Sequence, residues 1–524
     1  MQKPVRVRFA PSPTGALHIG GVRTALYNYL LAKKTGGTFI LRIEDTDQTR
    51  FVPGAEEYIM EALNWLGISP EEGIFEGGPY GPYRQSDRKP MYREFAEQLV
   101  KKGYAYYSFD TAEELDALRK QYEAEGKTFK YDTSTRLLLN NSLTQTESVV
   151  NKHLAEGSYV IRIKLPVDEQ IHFTDLIRED VTYSTHDLDD KVMLKGDGMP
   201  TYHLANVVDD YHMKITHVIR GEEWLPSTPL HIYLYRFLGW EESMPVFAHL
   251  PLILRPDGKG KLSKRDGAKF GIPVFPLNFV NPNNIEDKAL GFREWGFEPD
   301  AVLNFLALLG WHPSDEQEIF SLDQLVASFD LSRVSKSGAR FDFDKARWFN
   351  QQYVMSMPNS ELAIKMKPYV DAANFEETTG LKYLEGVAAL MKERVEFVNE
   401  FPVKGYYFFK APDYKLMMDN EGKDFEKKVL KNWDAARNEL FVRLIEKTES
   451  LNEYNAVNLQ QTVELFINET GLKFGDVLPL MRLALSGTMK GPGVFEMMEL
   501  IGKDYVKPRF IAFFGFCNSF SLNN

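Results

Sequence analysis

Apolar and polar positions alternate from the start of the chain, with Val5, Val7 and Phe9 set against Arg6 and Arg8, the period-two pattern of a strand. A Gly- and Pro-rich stretch then runs to Gly21, so that Arg8–Gly21 reads RFAPSPTGALHIGG. Beyond it Val22, Ala25, Leu26, Tyr29 and Leu30 recur at offsets 0, 3, 4, 7 and 8, one apolar stripe of a helix. Lys33 and Lys34 suit the helix's C-terminal dipole, and Gly36-Gly37 stop it. Residues 38–43 follow as a second strand, completing a βαβ unit. The loop meets the helix at its N-terminus, where unpaired N–H groups and the dipole favour a phosphate. Any βα turn could use those glycines and prolines, and neither a GxGxxG nor a P-loop pattern is present.

The same periodicity places a helix on Ile59, Ala62, Leu63 and Leu66, closed by Gly67, and another on Tyr92, Phe95, Ala96 and Leu99, ending at Gly103. Residues 104–195 are mixed, with a polar stretch at 140–146 and a strand-like run at 159–165. Residues 217–220 and 246–254 read as strands, and Ser227 with Pro229 reads as the start of a helix. Beyond Gly271 the pattern is mostly helical, over 362–370, 384–400, 425–446 and 462–500, and 301–309 is apolar nearly all round.

Composition narrows the class without deciding it. The 524 residues allow three or four domains, and 44% hydrophobic with 26% charged residues is the balance of a soluble globular protein. The longest apolar run is too short to span a bilayer, so no membrane role is expected, and with no leader pattern the expected location is cytoplasmic. Cys517 is the one cysteine, which excludes an intrachain disulfide framework and a zinc site built from several cysteines. A net charge of −12 argues mildly against nucleic acid, although the relevant field is local.

Three charged constellations carry the chemistry. Arg8 and Arg220 each end a strand of one presumed parallel sheet, where continuous apolar runs are usual, and a guanidinium there suits bidentate capture of a carboxylate. Arg42–Asp47, RIEDTD, puts three carboxylates at the end of the second strand, fitting a solvated loop or a magnesium set equally well. Residues 255–269 hold six basic residues against two acidic ones, among three glycines.

Taken together, PSPTG followed by HIGG at 11–21, and KLSKR at 261–265, resemble the two signature elements of class I aminoacyl-tRNA synthetases in their glutamyl form. RIEDTD, GPYRQS at 81–86, YHLANVVDD at 202–210, FDFDK at 341–345, RWFN at 347–350 and LPLMRLALSG at 478–487 are similar to further segments of glutamyl-tRNA synthetases. The fourth position of the first signature is Gly21 rather than His, as in the glutamyl version. The resemblance spans residues 5 to 503.

That resemblance implies an α/β Rossmann-type catalytic fold over 1–103 and 196–270, split by an α+β connective insertion at 104–195 that holds the tRNA acceptor end. An all-α C-terminal half would follow, with a stem-contact domain at 271–358, an anticodon-binding domain at 359–505, and an aromatic tail of unknown role at 506–524. It implies ATP-dependent activation of L-glutamate and transfer to the terminal adenosine of glutamate tRNA, with Mg2+ assisting, activation waiting for bound tRNA, and a monomer. His18, Gly20, Gly21, Lys261, Ser263 and Lys264 would hold ATP, with His18, Lys261 and Lys264 catalytic. Arg8, Tyr202, Asn206 and Arg220 would read the two carboxylates of glutamate, with Ser12 and Glu44 on its amino-acid backbone. Arg394, in MKER on a helix, would read the third anticodon base, and no protein metal site, zinc included, is expected. Other readings are an enzyme that also charges glutamine tRNA, a tRNA-modifying glutamyl-transferring paralogue, a nucleotidyltransferase with a small acceptor, and a binding protein with a dead site.

Overall fold

Short parallel strands, each entering a loop that feeds a helix, build the N-terminal part of the computed structural model, which describes residues 4–281, 284–375 and 380–521. The strand Arg6–Phe9 pairs in parallel with Thr38–Leu41, and between them runs the 17-residue helix Ile19–Thr35. On its other side Thr216 joins it through backbone and side chain, bringing the strand His217–Gly221 alongside. That strand pairs in parallel with Val246–Leu250, which meets Gln170–Asp175 at Asp175 and Phe247. Val7, Phe9, Phe39, Ile40, Val218 and Ile219 are all buried, because helices cover both faces of a parallel sheet. The N-terminal alternation is therefore not an in/out pattern, and Arg8 is as buried as its apolar neighbours.

The chain divides into two compact units, residues 1–295 with 299–346, and 296–298 with 347–524. The insertion in the first unit has its own antiparallel sheet, Ala105–Ser108, Val160–Ile163 and Val192–Leu194. Its hairpin Gln170–Asp175 with Glu179–Ser184 instead extends the catalytic sheet.

Four expectations change. Residues 246–254 are two strands broken at Pro251, since Ile253–Leu254 leaves the sheet to pair with Ala339–Arg340. Ser227 precedes the helix Thr228–Leu238 in a helical conformation and makes no side-chain cap. The region beyond 271 is helix-rich but includes an antiparallel hairpin, Phe279–Asn281 with Asn284–Ala289. The aromatic stretch after 505 is no separate tail: the helix Lys503–Ser521 buries Phe510, Phe513, Phe514 and Cys517 in the core of the second unit. Arg509 there donates to the carbonyls of Tyr407 and Leu485, which ties the helix down at its middle.

Candidate active site

The loop before the helix Ile19–Thr35 is shaped by two local constraints. Gly15 has φ +117°, which a β-carbon would strain, and a β-carbon on Gly21 would stand 2.7 Å from Leu17 Cδ1. His18 is the N-cap, and its Nδ1 accepts the Gly20 N–H at 3.0 Å. Gly21 and Val22 donate to the His18 carbonyl. The first N–H groups of this helix are thus partly spent, and a phosphate finds fewer of them than the sequence pattern implied. What Gly20 and Gly21 offer is a surface without side chains.

Because Nδ1 accepts, the ring proton of His18 sits on Nε2, which is buried, faces the Ser263 backbone and makes no hydrogen bond of good geometry among the described residues. Burial, then Lys264 and Lys261, lowers its pKa to about 4, so the ring is neutral at physiological pH. The basic loop faces it. Lys264 Nζ comes within 3.7 Å of where a Gly15 β-carbon would stand, and Lys261 pairs with Glu223 at 2.5 Å. Ser263 is fixed through N–H and Oγ to Asp266, at 2.8 and 2.6 Å.

The other half of the cleft is a buried ionic cluster. Arg8 donates from Nε and Nη2 to Asp210 at 3.0 and 3.2 Å, so the bidentate capture its position promised is taken by the protein's own carboxylate. Among the described residues its guanidinium makes no other hydrogen bond, which leaves Nη1 for the cleft. Arg42 bridges Asp210 at 2.7 Å and Glu44 at 2.9 Å, and Asn206 also donates to Glu44 Oε1 at 3.1 Å. Burial raises the Glu44 pKa against the pull of Arg42 and Arg8. Behind them Arg88, Gln85 and Tyr92 converge on Asp209.

Arg220 is differently served. Its Nε donates to His249 at 3.0 Å, Nη1 to Tyr202 at 2.8 Å with a long contact to His231 at 3.4 Å, and Nη2 to Thr228 at 2.9 Å with a long one to the Trp224 carbonyl at 3.3 Å. All five N–H groups have a partner, two of them weak.

A single cleft of about 800 Å³ in the first unit is lined by every one of Arg8, Ser12, His18, Gly20, Gly21, Glu44, Tyr202, Asn206, Arg220, Lys261, Ser263 and Lys264. Ser12 is exposed at its rim. Arg394 lies in the second unit, exposed, on a 3-10 turn following the helix Leu381–Met391 rather than on the helix itself, with Nη1 on the Leu390 carbonyl. Sequence reading missed Arg42, Asp209, Asp210, His231 and His249 as site builders. Two adjacent aspartates in a helix, with arginines elsewhere at strand ends, were the signal for the first three. Among the described residues no group of three or more His, Cys, Asp or Glu side chains is arranged as a metal cage.

Comparison with known proteins agrees in extent and kind. Residues 4–348 match the family model "tRNA synthetases class I (E and Q), catalytic domain", and residues 361–512 match "Anticodon binding domain". The chain is 52% identical over 505 residues to a glutamate–tRNA ligase of Flavobacterium johnsoniae, covering 96% of this chain and 97% of that protein. It is 50% identical over 508 residues to one of Amoebophilus asiaticus, covering 96% of each. A crystal structure of a glutamate tRNA ligase from Elizabethkingia meningosepticum in complex with its amino acid superposes with a TM-score of 0.91 at 48% identity, over 98% of this chain and 99% of that one.

Proposed function

The chain belongs to the glutamate–tRNA ligases of class I, and from that premise we propose how its own residues divide the work. An α-carboxylate oxygen of glutamate bonds to the α-phosphorus of ATP as the bond from that phosphorus to the bridging oxygen breaks, and pyrophosphate leaves. The 2′-hydroxyl of the terminal tRNA adenosine then attacks the acyl carbon, and AMP leaves. Neither step needs a protein nucleophile, so the chain contributes position and charge.

In this reading His18 Nε2–H, a buried donor with no well-formed bond among the described residues, donates to a phosphate oxygen, and Lys261 and Lys264 supply the cationic charge. Lys261 exchanges Glu223 for phosphate when ATP arrives. The bare surface of Gly20 and Gly21 admits the nucleotide closely, with Ser263 at its edge. Enzymes of this kind use ATP and typically Mg2+. The side chains present fit an ion carried in on the phosphates better than one caged by protein, and such an ion would neutralise phosphate charge.

Glutamate would set its ammonium on Glu44 and place its carboxylates on Arg8 Nη1 and on Arg220, displacing there only the long contacts to His231 or Trp224. Tyr202, Asn206 and Ser12 complete the cradle. Arg394 reads the third anticodon base: a donor-only guanidinium suits the cytosine of glutamate tRNA and not the guanine of glutamine tRNA. We place the enzyme in the cytosol as a monomer, on its kinship with the glutamate–tRNA ligases.

The observation that carries this reading is the meeting of both signature loops and the glutamate-reading set in one cleft. ATP–pyrophosphate exchange with glutamate, with and without tRNA, tests it. Exchange supported by glutamine as well as by glutamate would sink the proposed carboxylate readers.

A further inference from the structure

Arg220 is held from behind by buried groups outside the cleft lining. Its partner across the parallel ladder is His249, so both side chains leave the sheet on one face. Arginine Nε always carries its proton, so His249 Nε2, at 3.0 Å, must be the acceptor. The ring proton therefore sits on Nδ1 and is donated to Asp175 Oδ2 at 2.6 Å. Both side chains are fully buried, at 0% exposure. Asp175 Oδ1 is itself pinned by the backbone N–H groups of Ile177, Arg178 and His249, at 3.0, 2.9 and 3.2 Å. Burial keeps the His249 ring below its ordinary pKa despite the bond to Asp175, so the ring is neutral.

We propose that Asp175 and His249 are positioning residues for the amino-acid substrate: the carboxylate fixes the His249 tautomer, and that tautomer fixes the Arg220 fork. The inference rests on Arg220 reading a glutamate carboxylate, as proposed above. Polarity runs in one direction along the chain, from Arg220 Nε–H to His249 to Asp175, and neither end can reverse it. An asparagine at 175 must keep its oxygen toward the three backbone N–H donors. Its –NH₂ then faces His249 Nδ1 and the ring takes its proton on Nε2, where Thr228 Oγ1, 3.2 Å away, can accept it, while Arg220 Nε–H loses its acceptor and meets a donor instead.

The test is Asp175→Asn in the full-length enzyme, read by pyrophosphate exchange and by ¹⁵N NMR of labelled histidines, with His249→Gln to assign the ring. The KM for glutamate should rise roughly 10- to 100-fold, the usual effect of removing a group that orients a ligand from behind, while the KM for ATP stays near wild type. The wild-type ring should be protonated at Nδ1 and the variant ring at Nε2. A wild-type Nε2–H tautomer, or an unmoved glutamate KM in Asp175→Asn beside a raised one in Arg220→Gln, overturns the positioning role alone. An unmoved glutamate KM in Arg220→Gln overturns the reading of Arg220 and this inference with it. If Asp175→Asn does not fold, His249→Gln, whose amide reproduces the polarity, should stay near wild type while His249→Leu rises. Equal KM values in that pair overturn the inference.

Discussion

Asp210→Asn isolates what the buried ionic cluster contributes. Asp210 accepts from Arg8 at 3.0 and 3.2 Å and from Arg42 at 2.7 Å, with 2% of its side chain exposed, so water cannot take its place. The cluster sets three guanidinium groups, Arg8, Arg42 and Arg88, against three carboxylates, Glu44, Asp209 and Asp210. The substitution keeps the shape, leaves three against two, and turns one acceptor into a donor facing N–H groups. Removing one partner from a buried ion pair costs about 3–5 kcal/mol. Scaling the usual 2–4 °C per kcal/mol of a smaller domain to this larger unit gives a melting drop of roughly 3–12 °C. Arg8 also loses one of its two bonds to residue 210, and with it the fixed fork, so the KM for glutamate should rise about 10-fold or more, with that for ATP little changed. Burial pushes the Asp210 pKa up, but Arg8 and Arg42 outweigh it and hold it below the ordinary value. Its stabilisation is therefore complete above the unfolded pKa near 3.9 and is lost as pH falls through the lower folded value. Wild type and variant should differ by a constant amount from about pH 8 to 5 and converge below about 4. Scanning calorimetry across pH, with steady-state exchange kinetics, measures all of this. Melting within 1 °C of wild type at pH 7 with an unmoved glutamate KM would refute the argument.

Lys264→Ala should lower kcat for glutamate activation about 100-fold or more, the scale of one lost electrostatic donor, and unchanged single-turnover activation would remove it from the phosphate site. Arg394→Gln should raise charging of glutamine tRNA relative to glutamate tRNA by a factor worth about 1–3 kcal/mol; a wild type that already charges both comparably would defeat that assignment. Phe513→Ala opens a cavity beside Tyr414 and Phe425 and should destabilise the second unit by about 3–5 kcal/mol, read as loss of its melting transition near physiological temperature; an unchanged transition would return this helix to the status of a tail. Arg220→Leu should shrink glutamate-over-glutamine discrimination in exchange assays more than Arg8→Leu does, and the reverse order would count against Arg220 as the principal reader.

What the sequence made legible was local. The first signature loop, its helix and the second strand are contiguous, so turn residues and periodicity suffice to assemble them. The pairing of Arg8 with Asp210 joins positions 202 apart, and nothing in either segment names the other. An arginine ending an apolar strand was legible as unusual; whether it serves a substrate or an internal carboxylate is decided by tertiary structure. The last helix was missed for a different reason. Val506, Phe510, Phe513, Phe514 and Cys517 fall at offsets 0, 4, 7, 8 and 11, a helical stripe plain in the sequence, but its aromatic excess drew attention away from its period. The antiparallel pair of Phe279–Asn281 with Asn284–Ala289 was hidden by the helical patterns around it.

The two strand-end arginines are alike in sequence and opposite in electrostatics. Arg8 spends its charge on Asp210, and Arg42 spends its own on Asp210 and Glu44, so each is largely neutralised before substrate arrives. Arg220 is held by more bonds than Arg8, yet its direct partners are a neutral imidazole, two hydroxyls, a second imidazole and a carbonyl. These orient the guanidinium without cancelling its charge, and the carboxylate behind them, Asp175, stands one imidazole away. On the proposed reading, a substrate carboxylate meets in Arg220 a fixed positive charge and replaces its two weakest contacts. Glutamine offers an –NH₂ to the same donors and leaves that charge unanswered in a desolvated cleft. Selection by charge of this kind is steep enough to need no second, hydrolytic sieve. On the same proposal the neutral partners behind Arg220 have a reason: a carboxylate placed directly on Nε would hold the fork equally well and would cancel the charge proposed to read the substrate.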